Sequence, residues 1–127
     1  MLRIVSLLLL LCCLVTDLPA QNQKGSNFAA ANAAFDAGVQ LLLAGKPKRA
    51  IKPFREAIKQ DSGYISAHRF LGLSHDLVGN FTLAADAYQY VLNRDSSFSR
   101  LLYYKLGKVY YKMSRPELAL YYLECFQ

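Results

Sequence analysis

SAHRFLGLSHDLVGNFTLAADAYQYVLNRDS, residues 66–96, decides the fold. In its first half, Phe70, Leu71, Leu77 and Val78 fall near helical spacing. Gly79 stops that run, as a glycine just past a helix end does. The second half opens a new apolar period carrying Ala84, Tyr88 and Val91. Gly72 has no Cβ, and Ala84 is small, so two helices of this stretch can approach closely where they face each other. The stretch reads as an antiparallel helical hairpin.

The same spacing recurs on both sides. Gly38, Gly72 and Gly107 lie 34 and 35 residues apart. Twelve residues after each stand Ala50, Ala84 and Ala119; four further on come Phe54, Tyr88 and Leu123; three beyond these are Ala57, Val91 and Phe126. Gly45 and Gly79 follow the first two glycines by seven, with Ser114 in the third copy. The one additional residue falls between the second and third units, where a loop can absorb it. Pro47 and Pro116 suit the first turn of a second helix. Pro53 sits inside one, removes a backbone hydrogen bond and predicts a bend there. The pattern predicts six helices, at 27–44, 47–60, 64–78, 81–94, 98–113 and 116–126. No hairpin can bury its apolar face alone, so three must stack into one core.

This pattern resembles the tetratricopeptide (TPR) repeat family. His68, Leu71, Gly72, His75, Ala84 and Tyr88 take its signature slots in the second unit, and Tyr103, Leu106, Gly107, Tyr110, Ala119 and Leu123 in the third. In the first, Ala34 and Ala37 replace the large residues before the glycine. The usual proline after each unit is absent, with Ser62 and Ser96 in its place behind Asp61 and Asp95. The resemblance implies an all-α, right-handed solenoid of three hairpins, at 27–62, 63–97 and 98–127. It also implies a non-catalytic protein-interaction role, as a scaffold or assembly factor.

In front of the repeats, Met1–Ala20 reads as a secretory signal peptide, followed by a short linker at 21–26. Arg3 supplies the positive charge, Ile4–Val15 is apolar but for Ser6, and Leu18-Pro19-Ala20 offers a cleavage point. The apolar run is shorter than the roughly 20 residues a spanning helix needs. That length disfavours an uncleaved anchor, the one route to membrane association, and cleavage of the leader is expected instead. A lipidated Cys12 or Cys13 fits poorly, because leucines crowd the positions before them. The expected location is a periplasm, an extracellular space or a secretory lumen. Removing the leader takes away Arg3 and Asp17 and leaves the formal net charge at +6. It also leaves Cys125 as the sole cysteine, so the fold has no internal disulfide. Cys125 is then either a small buried residue or a thiol able to pair with another chain.

The resemblance implies a partner groove lined by the first helix of each unit. Its residues here are Asn32, Phe35, Val39 and Leu42; Ser66, Arg69, Leu73 and Asp76; and Leu101, Tyr104, Lys108 and Tyr111. A peptide with apolar anchors and some negative charge fits that mixture. Phe35 and Val39 also suit a simpler role, filling the gap between hairpins. The clamp by which some TPR domains hold a terminal carboxylate falls on Phe35, Val39, Phe70, Leu101 and Lys105, of which only Lys105 is basic. A second face runs along the last helix through Leu118, Tyr121, Tyr122 and Cys125. Solenoids normally finish with a polar cap. This apolar face therefore predicts docking of a second copy, a partner protein or further repeats, the chain then being an accessory subunit or N-terminal fragment of a larger envelope or secreted machine or enzyme.

Other features read blandly. His68 and His75 occupy core aromatic slots and lie about 10 Å apart by helix rise, too far to share a metal. Asn80-Phe81-Thr82 is a glycosylation sequon, but Asn80 also stands where an N-cap belongs. Lys46-Pro47-Lys48-Arg49 reads as a solvated turn. Three doublets, Tyr103-Tyr104, Tyr110-Tyr111 and Tyr121-Tyr122, each predict one ring inward and one outward, since helix neighbours point about 100° apart. No phosphate-cradling loop, nucleophile elbow, paired metal ligands or dense basic face is present. Catalysis, a cofactor, a metal and nucleic-acid binding are therefore not expected.

Overall fold

The structure, a computed structural model, describes residues 18–127, with side chains from Asn27 onward. Among the described residues it is all-helical, a stack of three antiparallel hairpins. The first pairs α1 (Leu18–Leu43) with α2 (Pro47–Gln60); the second pairs α3 (Ile65–Val78) with α4 (Phe81–Leu92); the third pairs α5 (Ser99–Lys112) with α6 (Pro116–Phe126). The leader reading falls mainly on residues 1–17, Cys12 and Cys13 among them, which lie outside the described residues. The linker expected at 21–26 is instead helical, because α1 starts at Leu18 rather than near Asn27. Gly25 is the least favourable residue of 21–26 for a helix interior, at about 1 kcal/mol, with smaller costs at Asn22 and Ser26, and Gln21, Gln23 and Lys24 are good helix formers.

All three hairpin turns are built alike. Gly45, Gly79 and Ser114 take left-handed φ values of 72°, 86° and 58°. The next residue's N–H then reaches back to a first-helix carbonyl: Lys46 to Leu41 at 2.9 Å, Asn80 to His75 at 2.8 Å and Arg115 to Tyr110 at 2.9 Å. This satisfies carbonyls that the helix end would orphan. Pro47 and Pro116 then occupy the first turn of α2 and α6. Asn80 precedes α4 but makes no side-chain cap, contrary to the expectation. Its amide nitrogen instead lies 3.4 Å from His75 Nδ1. Between hairpins, Asp61 accepts from the Gly63 N–H at 3.1 Å, and Asp95 from the Ser97 N–H at 2.9 Å. The latter turn extends into a short 3₁₀ segment, Ser96–Phe98, which absorbs the additional residue.

Within each hairpin one contact sets the spacing. A Cβ placed on Gly38 would meet the Phe54 ring at 2.6 Å; on Gly72, the Tyr88 ring at 2.8 Å; on Gly107, Leu123 Cγ at 2.6 Å. Each large residue stands 16 positions after its glycine. Phe54 and Tyr88 are fully buried by this contact. Between hairpins the joints differ. The first joint is aromatic: Phe35 packs against Phe54, Tyr64 and Phe70, with centroids 5.8, 5.0 and 5.5 Å apart. The second is aliphatic, with Leu102, Leu106 and Val109 of α5 against Ala84, Ala85, Tyr88 and Val91 of α4.

The tyrosine doublets divide as expected. Tyr104, Tyr111 and Tyr121 are exposed, while Tyr103, Tyr110 and Tyr122 are half-buried. The inward rings share one cluster, Tyr122 lying 6.3 Å from Tyr103 and stacked 5.3 Å from Tyr110. The first unit has Ala34 where the others have His68 and Tyr103. A hollow of 670 Å³ opens there, lined by Ala34, Leu41, Lys52 and Pro53 among others.

Pro53 lies within α2, which continues through it to Gln60. It supplies no N–H to the Arg49 carbonyl and so weakens the helix from inside. Pro53→Ala is expected to raise stability by about 1–3 kcal/mol, read as a higher urea midpoint at unchanged slope. A lower midpoint would show that the proline is required where it stands.

Candidate functional site

The first helices of the hairpins, α1, α3 and α5, carry the expected groove, and their residues fall into two groups. Those of α1 and the start of α3 are largely committed inward. Asn32 Oδ1 accepts from the Tyr64 hydroxyl at 2.8 Å. Phe35 takes the simpler of its two expected roles, filling the gap between hairpins, with three rings of the first joint around it. Val39, Leu42, Ser66 and Leu73 are half-buried.

The α3–α5 end differs. Leu101 and Tyr104 are each 40% exposed and Tyr111 is 75% exposed, large apolar surface facing solvent on one helix. Lys108 Nζ lies 5.1 Å from the Tyr104 ring centroid. Tyr104 in turn packs 5.3 Å from Phe126. Across the groove, the Arg69 guanidinium sits between Phe70 and Phe98, 4.6 and 4.7 Å from their centroids. Asp76 bridges the two helices by accepting from Lys112 Nζ at 2.9 Å. Sequence reasoning missed Lys112. Its partner is 36 residues away, and no local pattern pairs them.

The second expected surface, along α6, is also redistributed. Tyr121 is 58% exposed and Cys125 is an exposed free thiol rather than a buried small residue. Leu118 is half-buried. Tyr122 turns away from this face, stacks on Tyr110 and donates its hydroxyl to Gln89 Oε1 at 2.6 Å. Leu120, absent from the expected face, is 59% exposed. The repeat register held the signal for it: Leu120 corresponds to Ala85, which the following hairpin covers to 4% exposure.

The two histidines serve different neighbours. His68 stacks on Tyr90 at 3.8 Å and its Nε2 lies 2.9 Å from the Ser62 carbonyl oxygen. That places it at the hairpin edge, half-buried, rather than in the core. His75 is buried beside Asn80. Among the described residues no three His, Cys, Asp or Glu side chains are grouped to hold a metal ion, and no helix is long and apolar enough to cross a membrane.

No protein-family model matches this chain, and no curated protein matches it. Two solved structures of MamA, a TPR-repeat protein, are similar in fold. One superposes with a TM-score of 0.70 at 25% identity, over 75% of this chain and 51% of MamA. The other gives 0.69 at 24% identity, over 74% of this chain and 54% of MamA. The chain therefore spans about half the length of the MamA chains it matches.

Burial lowers the His75 pKa, and the Arg55 charge adds to that, so the fold holds the ring neutral. An unfolded histidine takes up its proton near pH 6.5. The unfolded chain then binds more protons than the folded one, and the stability present above that pH is lost as the pH falls below it. The urea midpoint is expected to drop between roughly pH 7 and pH 5, and to drop less in His75→Gln. A midpoint that is flat or rises on acidification contradicts the neutral buried ring.

Proposed function

We propose that this chain is a non-catalytic protein-interaction module, a scaffold or assembly factor, acting after export once the leader has been removed. A peptide segment of a partner lies along α3 and α5. The observation that carries this reading is the exposure of Leu101, Tyr104 and Tyr111 on one helix beside Lys108 and Arg69. Tyrosine buries much area at low entropy cost, and aromatic and arginine side chains dominate binding energy at interfaces. The apolar wall expected on α1 is smaller than its residues suggested, since Phe35 is spent on the joint. The preferred anchors therefore bind toward the α5 side. The likeness to a TPR-repeat protein supports the same class of role, as an analogy of fold.

The α6 face is the rival surface. It presents Leu120 where, one repeat earlier, the next hairpin packs on Ala85, with the exposed Tyr121 beside it. A quantitative pull-down from an extract of the native host separates the two. Tyr104→Ala with Tyr111→Ala is expected to weaken capture roughly 30-fold, the effect of removing about 2 kcal/mol of anchor energy. Leu120→Lys with Tyr121→Lys is expected to leave capture unchanged. Loss confined to the second pair would transfer the binding site to α6.

A further inference from the structure

Four cations and one carboxylate share the groove between α3 and α5: Arg69 and Asp76 on one side, and Lys105, Lys108 and Lys112 on the other. Lys112 already occupies the carboxylate, at 2.9 Å. Among the described residues, no carboxylate stands within ion-pair distance of Arg69, Lys105 or Lys108. Each is seated on an aromatic face instead. Arg69 lies between Phe70 and Phe98, Lys105 Nζ is 5.9 Å from the Tyr88 centroid, and Lys108 Nζ is 5.1 Å from that of Tyr104. Rings hold a cation in place through their quadrupole but leave its charge uncancelled.

Beneath these cations two polar atoms lack partners. Arg69 Nε and the Tyr88 hydroxyl are both sealed from solvent and make no hydrogen bond. Tyr88 belongs to α4, which packs between α3 and α5 and forms the groove floor. Protein interiors pair nearly all such atoms, so two unpaired ones in one cluster call for an account. Lys105 carries a second cost. Burial holds its ammonium below the ordinary lysine pKa; Asp76 opposes this, while Lys108, Arg69 and Lys112 reinforce it. An arrangement of this kind is poised for an anion, which would offset the mutual repulsion in a half-dry site where charges interact more strongly than in open water.

We propose that the α3–α5 groove is a carboxylate subsite, in which an Asp or Glu side chain of the bound peptide is held by Arg69, Lys105 and Lys108. This rests on the peptide-groove reading and adds the chemistry of the partner. Leu73, Leu101 and Tyr104 flank the cations and receive the apolar residues on either side of the acid. The charge is too compact for a nucleic-acid backbone, which requires an extended basic stripe. The site also differs from the clamp for a terminal carboxylate, since Lys105 is the only one of its cations at a clamp position.

The test is an NMR titration of the full chain, observing lysine Nζ and arginine Nε, with the peptide acetyl-Leu-Glu-Leu-amide. At equal ionic strength acetyl-Leu-Gln-Leu-amide and inorganic phosphate serve as comparisons. The Glu peptide is expected to shift Arg69, Lys105 and Lys108 together and to raise the Lys105 pKa. It is expected to bind at least about tenfold tighter than the Gln peptide, an advantage that Lys105→Met removes. Exposed Lys59→Met is expected to leave that advantage intact. If Lys105→Met does not fold, the Glu–Gln comparison on the unaltered chain decides alone. Equal binding of both peptides overturns the subsite yet leaves the groove reading standing. Binding of neither, or a preference for phosphate, overturns the subsite, and the pull-down through Tyr104 and Tyr111 then judges the groove independently.

Discussion

Each hairpin of this protein depends on a glycine that admits a large side chain of the facing helix. Gly38 receives Phe54, Gly72 receives Tyr88, and Gly107 receives Leu123, always at the same separation along the chain. The contact costs helix propensity, about 1 kcal/mol for each glycine. It returns close approach of two helices and full burial of a large ring in the first two units. Moving either member by one position would turn its side chain by about 100° and lose the fit. The period of the whole chain follows from keeping this pair in phase with a left-handed residue at Gly45, Gly79 and Ser114.

Because the contact draws the second helices inward, it also determines what the first helices present. Tyr88, seated over Gly72, becomes the floor between α3 and α5, and the cations of both helices gather above it. Burial and the nearby Asp76 carboxylate raise the Tyr88 pKa, with Arg69 opposing, so the hydroxyl stays protonated at neutral pH. The two ends of the stack differ in character. α1 exposes Ala29, Ala33 and Ala37 with Asp36 and Gln40, and also Phe28 and Leu43. α5 and α6 expose Tyr111, Leu120 and Tyr121. The exposed tyrosines lie on the third hairpin, beside the cations shared by α3 and α5.

Much of this was legible in the sequence, for physical reasons. Period, most helix ends and the division of each tyrosine doublet into one inward and one outward ring are local, determined by backbone geometry and 3.6-residue periodicity. The candidate site was legible only in part. Lys108, Tyr104 and Tyr111 were found because repeat register places them on the first-helix face. Phe35 and Tyr122 share that kind of register but were claimed by rings of neighbouring hairpins, at Phe70 and Tyr110 respectively. Asn80 stood at a capping position, yet its amide turned to His75 once the turn had closed. The convergence of Arg69, Lys105 and Tyr88 was invisible. It joins three helices, and its significance lies in burial and missing partners, which no spacing encodes.

The most direct test of this account is a double-mutant cycle on Gly72 and Tyr88, measured by urea unfolding. Gly72→Ala alone should destabilise by about 1–3 kcal/mol, because the added methyl meets a fully buried ring. Tyr88→Leu alone should also destabilise, by leaving space over Gly72. Together they should cost at least about 1 kcal/mol less than their sum, since the smaller side chain makes room for the methyl. Additivity within about 0.5 kcal/mol would contradict the claim that this contact holds the hairpin together.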